Sequence, residues 1–333
     1  MVFKGLHTPM LLIIYYTELQ WFLFFEDLFM EKADMNWPLV SVAIITYNQR
    51  DYLKECIESV LAQGYSNIEI VIADDGSSDG TDMLLNDYQT KYPGKFVIRL
   101  NKSNQGITKN CNIALEACKG KYIAFLGGDD IMLPQKLSKQ VQYMESHENC
   151  SICYHNVEVF QSETGKLLNL YNNWTNSYEG GMSSIIKYGT FFAACAVMIK
   201  KENAPEGGFN ERIPIASDWL FFVECLGSGG TINYINEVLG RYRRHNKNIT
   251  NRVSKTIYLN DLDHINSTSI LLFKYPKYGK EVMHRFSTVF RQSRNPNNES
   301  YYVILIMSLK MHFNIKSFVL LMVAILSFGY KKM

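Results

Sequence analysis

Ala73-Asp74-Asp75-Gly76-Ser77-Ser78-Asp79-Gly80 and Phe125-Leu126-Gly127-Gly128-Asp129-Asp130 decide how this chain folds. Each sets acidic residues directly after an apolar run, Ile68-Glu69-Ile70-Val71-Ile72 in one case and Tyr122-Ile123-Ala124-Phe125-Leu126 in the other. Short apolar runs bounded by turn residues predict buried strands. Ligands of open α/β sheets gather beyond the carboxyl ends of the strands. Two acidic clusters at such ends therefore predict one site that combines polar recognition with a metal, as in nucleotide-handling enzymes.

Working outward, strand and helix alternate from Leu39. Strands are predicted at Val40 to Thr46, Ile68 to Ala73, Val97 to Leu100 and Tyr122 to Leu126. Helices are predicted between them at Asp51 to Gln63 (Leu53, Ile57, Val60 and Leu61 apolar), Thr81 to Tyr92 and Lys109 to Cys118. That alternation implies βαβ units and a mainly parallel sheet, an α/β fold with Rossmann-like character. After Pro134 a helix to about Ser146 is expected, then an antiparallel strand at Ser151 to Phe160 and a loop from Gln161 to Gly181. Helices at Met182 to Tyr188 and Trp219 to Leu226 flank a strand at Ala193 to Ile199. Beyond Asn248 the chain turns helical and basic. No internal repeat is present.

The 333 residues suit one large domain with extensions, or two smaller ones. A formal net charge of +2 argues against a nucleic-acid binder, for which a basic excess is expected. The 13% aromatic content fits a well-filled core. Seven scattered cysteines do not make a disulfide framework, and Cys150-Ser151-Ile152-Cys153 lacks the second pair of a zinc site, so buried reduced thiols are expected.

The two ends differ from the middle. Met10 to Met30 is apolar yet carries Glu18, Glu26 and Asp27, which are costly in a bilayer, and no cleavage pattern follows it. Residues 1–34 thus read as an extension, either outside the native chain, with a start at Met35, or as a membrane-surface helix. Phe318 to Tyr330 would cover roughly 20 Å as a helix, short of the roughly 30 Å of a bilayer core. Flanked by Lys310, Lys316, Lys331 and Lys332, it is expected to lie in the membrane interface, with a helix packed on the domain as the alternative. The predicted organisation is 1–34 as extension, 35–248 as the main domain and 249–333 as a helical basic region with an apolar tail.

The polar residues have chemistry of their own. Asp75 at a strand end can accept from a pyrimidine N3–H or a ribose hydroxyl, while Asp74, Asp75 and Asp79 can also serve as caps for the helix near Thr81. Lys109 and Asn110 open a helix, where a cation and free amides favour an anion such as diphosphate; a solvated lysine is the competing reading. Asp129 and Asp130 supply the carboxylate oxygens that hard divalent cations prefer. Asp218 precedes a helix and would serve as its N-cap. Arg243, Arg244 and His245 form a positive cluster.

Seven motifs then occur in one order: Val42-Ala-Ile-Ile-Thr-Tyr-Asn48, Ala73-Asp-Asp-Gly-Ser-Ser-Asp-Gly-Thr81, Asn104-Gln-Gly-Ile-Thr-Lys-Asn110, Gly128-Asp-Asp-Ile-Met-Leu-Pro-Gln-Lys-Leu137, Gly207-Gly-Phe-Asn-Glu211, Ser217-Asp-Trp219 and Tyr242-Arg-Arg-His245. Over about Pro38 to His245 this series resembles the family 2 glycosyltransferases, whose fold is the nucleotide-sugar-binding GT-A fold. The resemblance implies that Thr46, Tyr47 and Asn48 line the base, that Asp75 contacts uracil or ribose, and that Lys109, where the family often has Arg, faces diphosphate. It assigns Asp129 to the second acid of an Asp-x-Asp motif, the one that touches Mn²⁺ or Mg²⁺, with Gly127 in place of the first. Asp218 becomes the general base, with Ser217 replacing the usual Glu. By the same resemblance, the segment holding Arg243 and His245 would close over the diphosphate or the metal, with Arg243 on the nucleotide and His245 as a metal ligand.

The activity so implied is inverting transfer from a nucleotide-sugar donor, UDP-linked, to a hydroxyl of a glycan or lipid-linked glycan in polysaccharide assembly. It would take place in the cytoplasm at the inner membrane face, with peripheral membrane contact and no nucleic-acid partner. A polyprenyl-phosphate sugar transferase and a non-catalytic nucleotide-sugar binder are the alternatives, the latter favoured by Gly127 and Ser217.

Overall fold

The computed structural model describes residues 37–172, 177–246, 248 and 257–292, with side chains of the last stretch from 263 to 289. The readings for residues 1–34 and for 318–330 lie outside the described residues. Among the described residues no helix is long and apolar enough to cross a membrane.

Four parallel strands form the first half of the sheet: β1 (Val40–Thr46), β2 (Ile68–Asp74), β3 (Phe96–Leu100) and β4 (Tyr122–Gly127), in the order β3-β2-β1-β4. Val42, Ile44, Ile70, Ile72 and Ile123 are wholly buried, as expected where helices cover both faces of a parallel sheet. The crossovers are α1 (Arg50–Leu61), α2 (Thr81–Lys91) and α3 (Ile107–Ala117). In α1 the buried side chains Leu53, Cys56, Ile57 and Val60 recur at helical spacing on one face. Register decides what meets at the strand ends: Thr46 pairs with Asp74, and Ile45 with both Ala73 and Gly127. The acidic loops after β2 and β4 therefore flank the loop after β1.

The second half is mixed. After β5 (Ile131–Met132) and α4 (Lys136–Ser146) come β6 (Cys150–Gln161), β7 (Leu167–Leu170), α5 (Met182–Tyr188), β8 (Met198–Lys200), α6 (Ser217–Glu224) and β9 (Thr231–Arg244). The order continues β4-β8-β6-β9-β5, with β7 pairing β6. β6 is antiparallel to β7 and β8 but parallel to β9.

Two expectations are corrected here, and one strand is added. β7 occupies part of the stretch read as a loop: Gly165 at φ +67° closes a hairpin in which the Gln161 amide donates to Lys166 O. The strand expected at Ala193 to Ile199 is a 3₁₀ turn at Ala194–Ala196 followed by β8, because Ala196 and Val197 donate back to Ala193 and Ala194. β9 was not anticipated. Its polar, charge-rich sequence shows no buried run, yet it pairs with most of β6 through an irregular register around His155, Asn156 and Val157.

The last two described helices are α7 (Ile257–Lys274) and α8 (Gly279–Gln292), packed on each other and on α6 and α5. Leu271 and Val282 are wholly buried there. The α5–α6 junction is fixed by Trp219, itself wholly buried, whose indole N–H donates to Ile185 O at 2.9 Å.

Candidate functional site

Beyond the carboxyl ends of β1, β2 and β4 lies a cleft of about 1580 Å³. Thr46, Tyr47, Asn48, Asp75, Asp129, Asp218 and His245 all line it, so the structure brings together seven of the nine residues named from sequence.

Its first wall is built from mutually bonded polar groups. Asn48 adopts φ +51°, a conformation that Asn tolerates better than most residues. Its amide donates to Ser77 Oγ (2.7 Å), and its Oδ1 accepts from the Ser78 amide (2.9 Å), tying the β1 loop to the β2 loop. Asp75 is 3% exposed: Oδ1 accepts from the Gln105 amide (2.7 Å) and Asn101 Nδ2 (3.1 Å), Oδ2 from the Gly106 amide (3.0 Å). Three of about four acceptor positions of the carboxylate are thus occupied, leaving room for one ligand donor. Asp74 turns instead onto the Ser77 amide and hydroxyl; burial raises its pKa while those bonds oppose the rise. Asp79 joins two helix starts, accepting from the Arg50 amide and from Thr81, and these bonds outweigh its burial and lower its pKa. The capping reading therefore describes Asp79. The Thr46 hydroxyl is buried without a hydrogen-bond partner, and Gly128 passes so close that a Cβ there would come within 2.9 Å of it.

The second wall carries the metal candidates. Asp129 Oδ2 lies 2.9 Å from His245 Nε2 and accepts from Asn248 Nδ2 at 3.1 Å. Asn248 Oδ1 in turn accepts from the His245 amide, so one side chain orients both groups. Among the described residues no group of three or more His, Cys, Asp or Glu is gathered for a metal. An oxygen and a nitrogen 2.9 Å apart nevertheless fit adjacent positions around one small cation, and Mg²⁺-type sites commonly use one or two protein ligands plus phosphate oxygens. Gly127 matters to this arrangement. A Cβ at 127 would come 2.8 Å from Asp129 Oδ1 and 3.2 Å from Asp130 Oδ2, so the absent side chain makes room for the carboxylate pose seen. Asp130 is buried behind the cleft rim, accepting from the Arg243 amide (3.0 Å) and from the Cys195 thiol. Burial, then the adjacent Asp129 charge, holds its carboxyl well above the ordinary aspartate range.

Asp218 stands in the first turn of α6, not at its N-cap, because the helix begins at Ser217 and Ala216 holds the cap position. Its Oδ1 accepts from the Trp219 amide at 2.8 Å. Burial raises its pKa and the Trp219 amide opposes that rise. The backbone ahead of α6 is held from another element: Asp263 of α7, 4% exposed, accepts the Ile215 and Ala216 amides on Oδ2 at 2.9 and 3.1 Å. Ser217 links sideways, its Oγ 2.9 Å from Thr108 Oγ1.

Two named residues are placed elsewhere. Lys109 is exposed and outside the cleft lining, because α3 begins at Ile107 and turns position 109 outward. Arg243 is 3% exposed and engaged by protein: Nε donates to Asp129 O (2.7 Å), an Nη donates to Glu55 (2.5 Å), and the guanidinium lies 4.8 Å from the Tyr52 and Phe160 rings. It braces the Asp129 loop from behind. The sequence reading missed Asn248, Asp263 and His264. Asn248 stands three residues beyond the Tyr-Arg-Arg-His motif, a usable signal; Asp263 and His264 sit mid-helix with no motif around them.

The glycosyl transferase family 2 profile matches residues 41–204. An uncharacterized protein of Mycobacterium tuberculosis is 30% identical over 209 residues, 62% of this chain and 59% of that protein, so the chain matches about three fifths of that relative's length. TuaG of Bacillus subtilis, named for teichuronic acid biosynthesis, is 31% identical over 218 residues, 65% of this chain and 83% of TuaG. In fold, the chain resembles Staphylococcus aureus TarS 1–349 in complex with UDP-GlcNAc (TM-score 0.56, 15% identity, 84% of this chain and 88% of that one). It also resembles the mannosyltransferase PcManGT of Pyrobaculum calidifontis in complex with GDP-Man and Mn²⁺ (TM-score 0.58, 15% identity, 90% and 82%). The motif order, the TuaG match and the four parallel strands that open onto the cleft agree, and the chain belongs to glycosyl transferase family 2 with a GT-A fold.

Proposed function

We propose that the protein transfers a glycosyl group, with inversion, from a UDP-linked sugar to a hydroxyl of a glycan or lipid-linked glycan in polysaccharide assembly. The observation that carries this reading is that Asp218 and the Asp129–His245 pair line one cleft at the carboxyl end of the sheet. UDP would lie along Thr46, Tyr47 and Asn48, with Asp75 accepting one further hydrogen bond from base or ribose. Asp129 and His245 would hold Mn²⁺ or Mg²⁺, which when bound offsets the charge developing on the leaving diphosphate. Asn248 keeps both of those side chains in register, and Arg243 fixes the loop that carries Asp129. Asp218 takes the proton from the attacking hydroxyl, and burial makes its carboxylate a stronger base than a solvated one. The solved neighbours hold UDP-GlcNAc and GDP-Man respectively, which supports a nucleotide-sugar donor of either base.

The experiment is calorimetric titration of the full chain with UDP and GDP, with and without Mn²⁺, followed by an assay of nucleotide release from a panel of UDP-sugars. Metal-dependent UDP binding with release from at least one donor is expected. GDP bound in preference to UDP would overturn the donor, and binding without any turnover would favour a non-catalytic sugar-nucleotide binder.

A further inference from the structure

Where α5, α6, α7 and α8 meet, the molecule buries a cation that no described residue neutralises. Arg285 of α8 is 8% exposed, and its Nε is fully buried with no hydrogen-bond partner. No ion pair to it occurs among the described residues. Burial alone accounts for the fall of its pKa to about 10, with no carboxylate acting against it. The neighbouring groups are neutral. The guanidinium lies 5.1 Å from the centre of the Trp219 ring, and its carbon would stand 2.5 Å from a Cβ on Gly189, so it rests on bare backbone. His264, brought down to about 4 by burial and then by Arg285, is uncharged at neutral pH, and its Nδ1 also lacks a partner. Asp263, next to His264 in the chain, gives Oδ2 to two backbone amides instead.

An unpaired buried charge is costly, and a protein that keeps one commonly does so for a ligand. The position names the ligand. His264, Thr190 and Val289 line the cleft, and Arg285 lies just behind them: beside His264, on the glycine before Thr190, one helical turn before Val289. Trp219, against which it stacks, directly follows Asp218.

We propose that Arg285 recognises an anionic group, a carboxylate or a phosphate, carried by the acceptor near the hydroxyl that Asp218 activates. The proposal rests on the glycosyltransferase reading and narrows its acceptor to acidic or phosphorylated glycans. Arginine's planar fork suits either anion by two parallel hydrogen bonds.

The test titrates the full chain, with UDP and Mn²⁺ and again without them, against four probes: glucuronic acid, glucose 6-phosphate, inorganic phosphate and methyl glucoside. At least one sugar anion is expected to bind saturably and about tenfold or more tighter than methyl glucoside and free phosphate. Arg285→Gln should abolish that preference while keeping UDP affinity and melting temperature, which a purely structural arginine would not allow. Should the Gln variant fail to fold, Arg285→Lys carries the test, since it keeps the charge but not the fork; a several-fold loss is expected. Absence of saturable binding by both sugar anions, equal binding by the variant, or free phosphate binding as tightly as the sugar anions would each overturn the proposal. Loss of UDP binding by the wild type would strike the transferase reading alone, because the nucleotide-free titration reads Arg285 by itself.

Discussion

The two acidic loops at the strand ends look alike in sequence and behave differently in the fold. After β2, Asp75 meets three protein donors, and Asp74 and Asp79 are bonded into the turn around them. After β4, among the described residues, Asp129 Oδ2 meets two side-chain groups, His245 Nε2 and Asn248 Nδ2, while Asp218, on the same cleft, accepts from the Trp219 amide. A carboxylate mostly occupied by protein donors fixes geometry; one with more open lone pairs is available for metal or proton. The first loop is therefore a frame, and the second wall is where chemistry can happen.

The largest expected break of that contrast is Asp218→Asn. It should lower kcat by about 10²–10⁴, the usual worth of a general base, with the UDP Kd unchanged. Because burial raises the Asp218 pKa, the acid limb of kcat/KM should fall off above the ordinary aspartate range and vanish in the variant. The sign for stability is opposite to that of a salt-bridged acid. A raised folded pKa gives stability that is full below the unfolded pKa and lost as pH rises through the folded one, so the Asn variant should melt no lower than wild type at pH 7. A parallel loss of stability and UDP binding would make Asp218 structural.

Next in size is the pair Asp129→Asn and Asp130→Asn. The first should remove Mn²⁺ stimulation of UDP binding, read by calorimetry. The second should stay within a few-fold of wild type, since an amide oxygen still accepts from the Arg243 amide and carries no charge to bury. Equal losses would erase the distinction drawn between the two acids.

Asp75→Ala tests the frame. It removes the acceptor of the Gln105 amide and of Asn101 Nδ2 and leaves the Gly106 amide on Asn104 Oδ1 alone, at about 0.5–1.5 kcal/mol for each hydrogen bond lost, and should lower the melting temperature together with UDP affinity. Asp263→Ala should cost a similar or smaller stability increment but lower kcat selectively, because it frees the backbone ahead of Asp218. Asp263→Asn keeps an acceptor oxygen and should restore most of the rate. An Ala variant with unchanged kcat would show that α7 does not position the base.

The smallest effect is expected from Lys109→Ala. An exposed residue outside the cleft should change stability by no more than about 0.5 kcal/mol and leave the UDP Kd alone. A tenfold weaker Kd would return Lys109 to the diphosphate site.

Much of the first half was legible because each signal there is local. The runs Val40 to Thr46, Ile68 to Asp74 and Tyr122 to Gly127 are buried on both faces, so composition alone marks them, and the acids follow at once. β9 was illegible for the converse reason: strand pairing along β6, not its own apolar content, makes Thr231–Arg244 a strand. The same holds for Arg243, whose charge read as a ligand contact until the fold set Glu55, Asp129 O and two aromatic rings around it.

By itself, then, the sequence determined the parallel half of the sheet, the places where its acidic loops emerge, and the positions Asp75, Asp129 and Asp218. The strands and loops follow from hydrophobic pattern and turn chemistry within short windows, and the choice of those three acids from the motifs that resemble the family's. Only the tertiary structure decided which carboxylate is bonded mainly to backbone amides and which stays more open, that Lys109 points away, that Asp263 holds the backbone ahead of Asp218 from a helix far along the chain, and that Arg285 is buried behind the cleft lining. Hydrogen-bond saturation and burial are properties of neighbours in space, and no spacing along the chain encodes them.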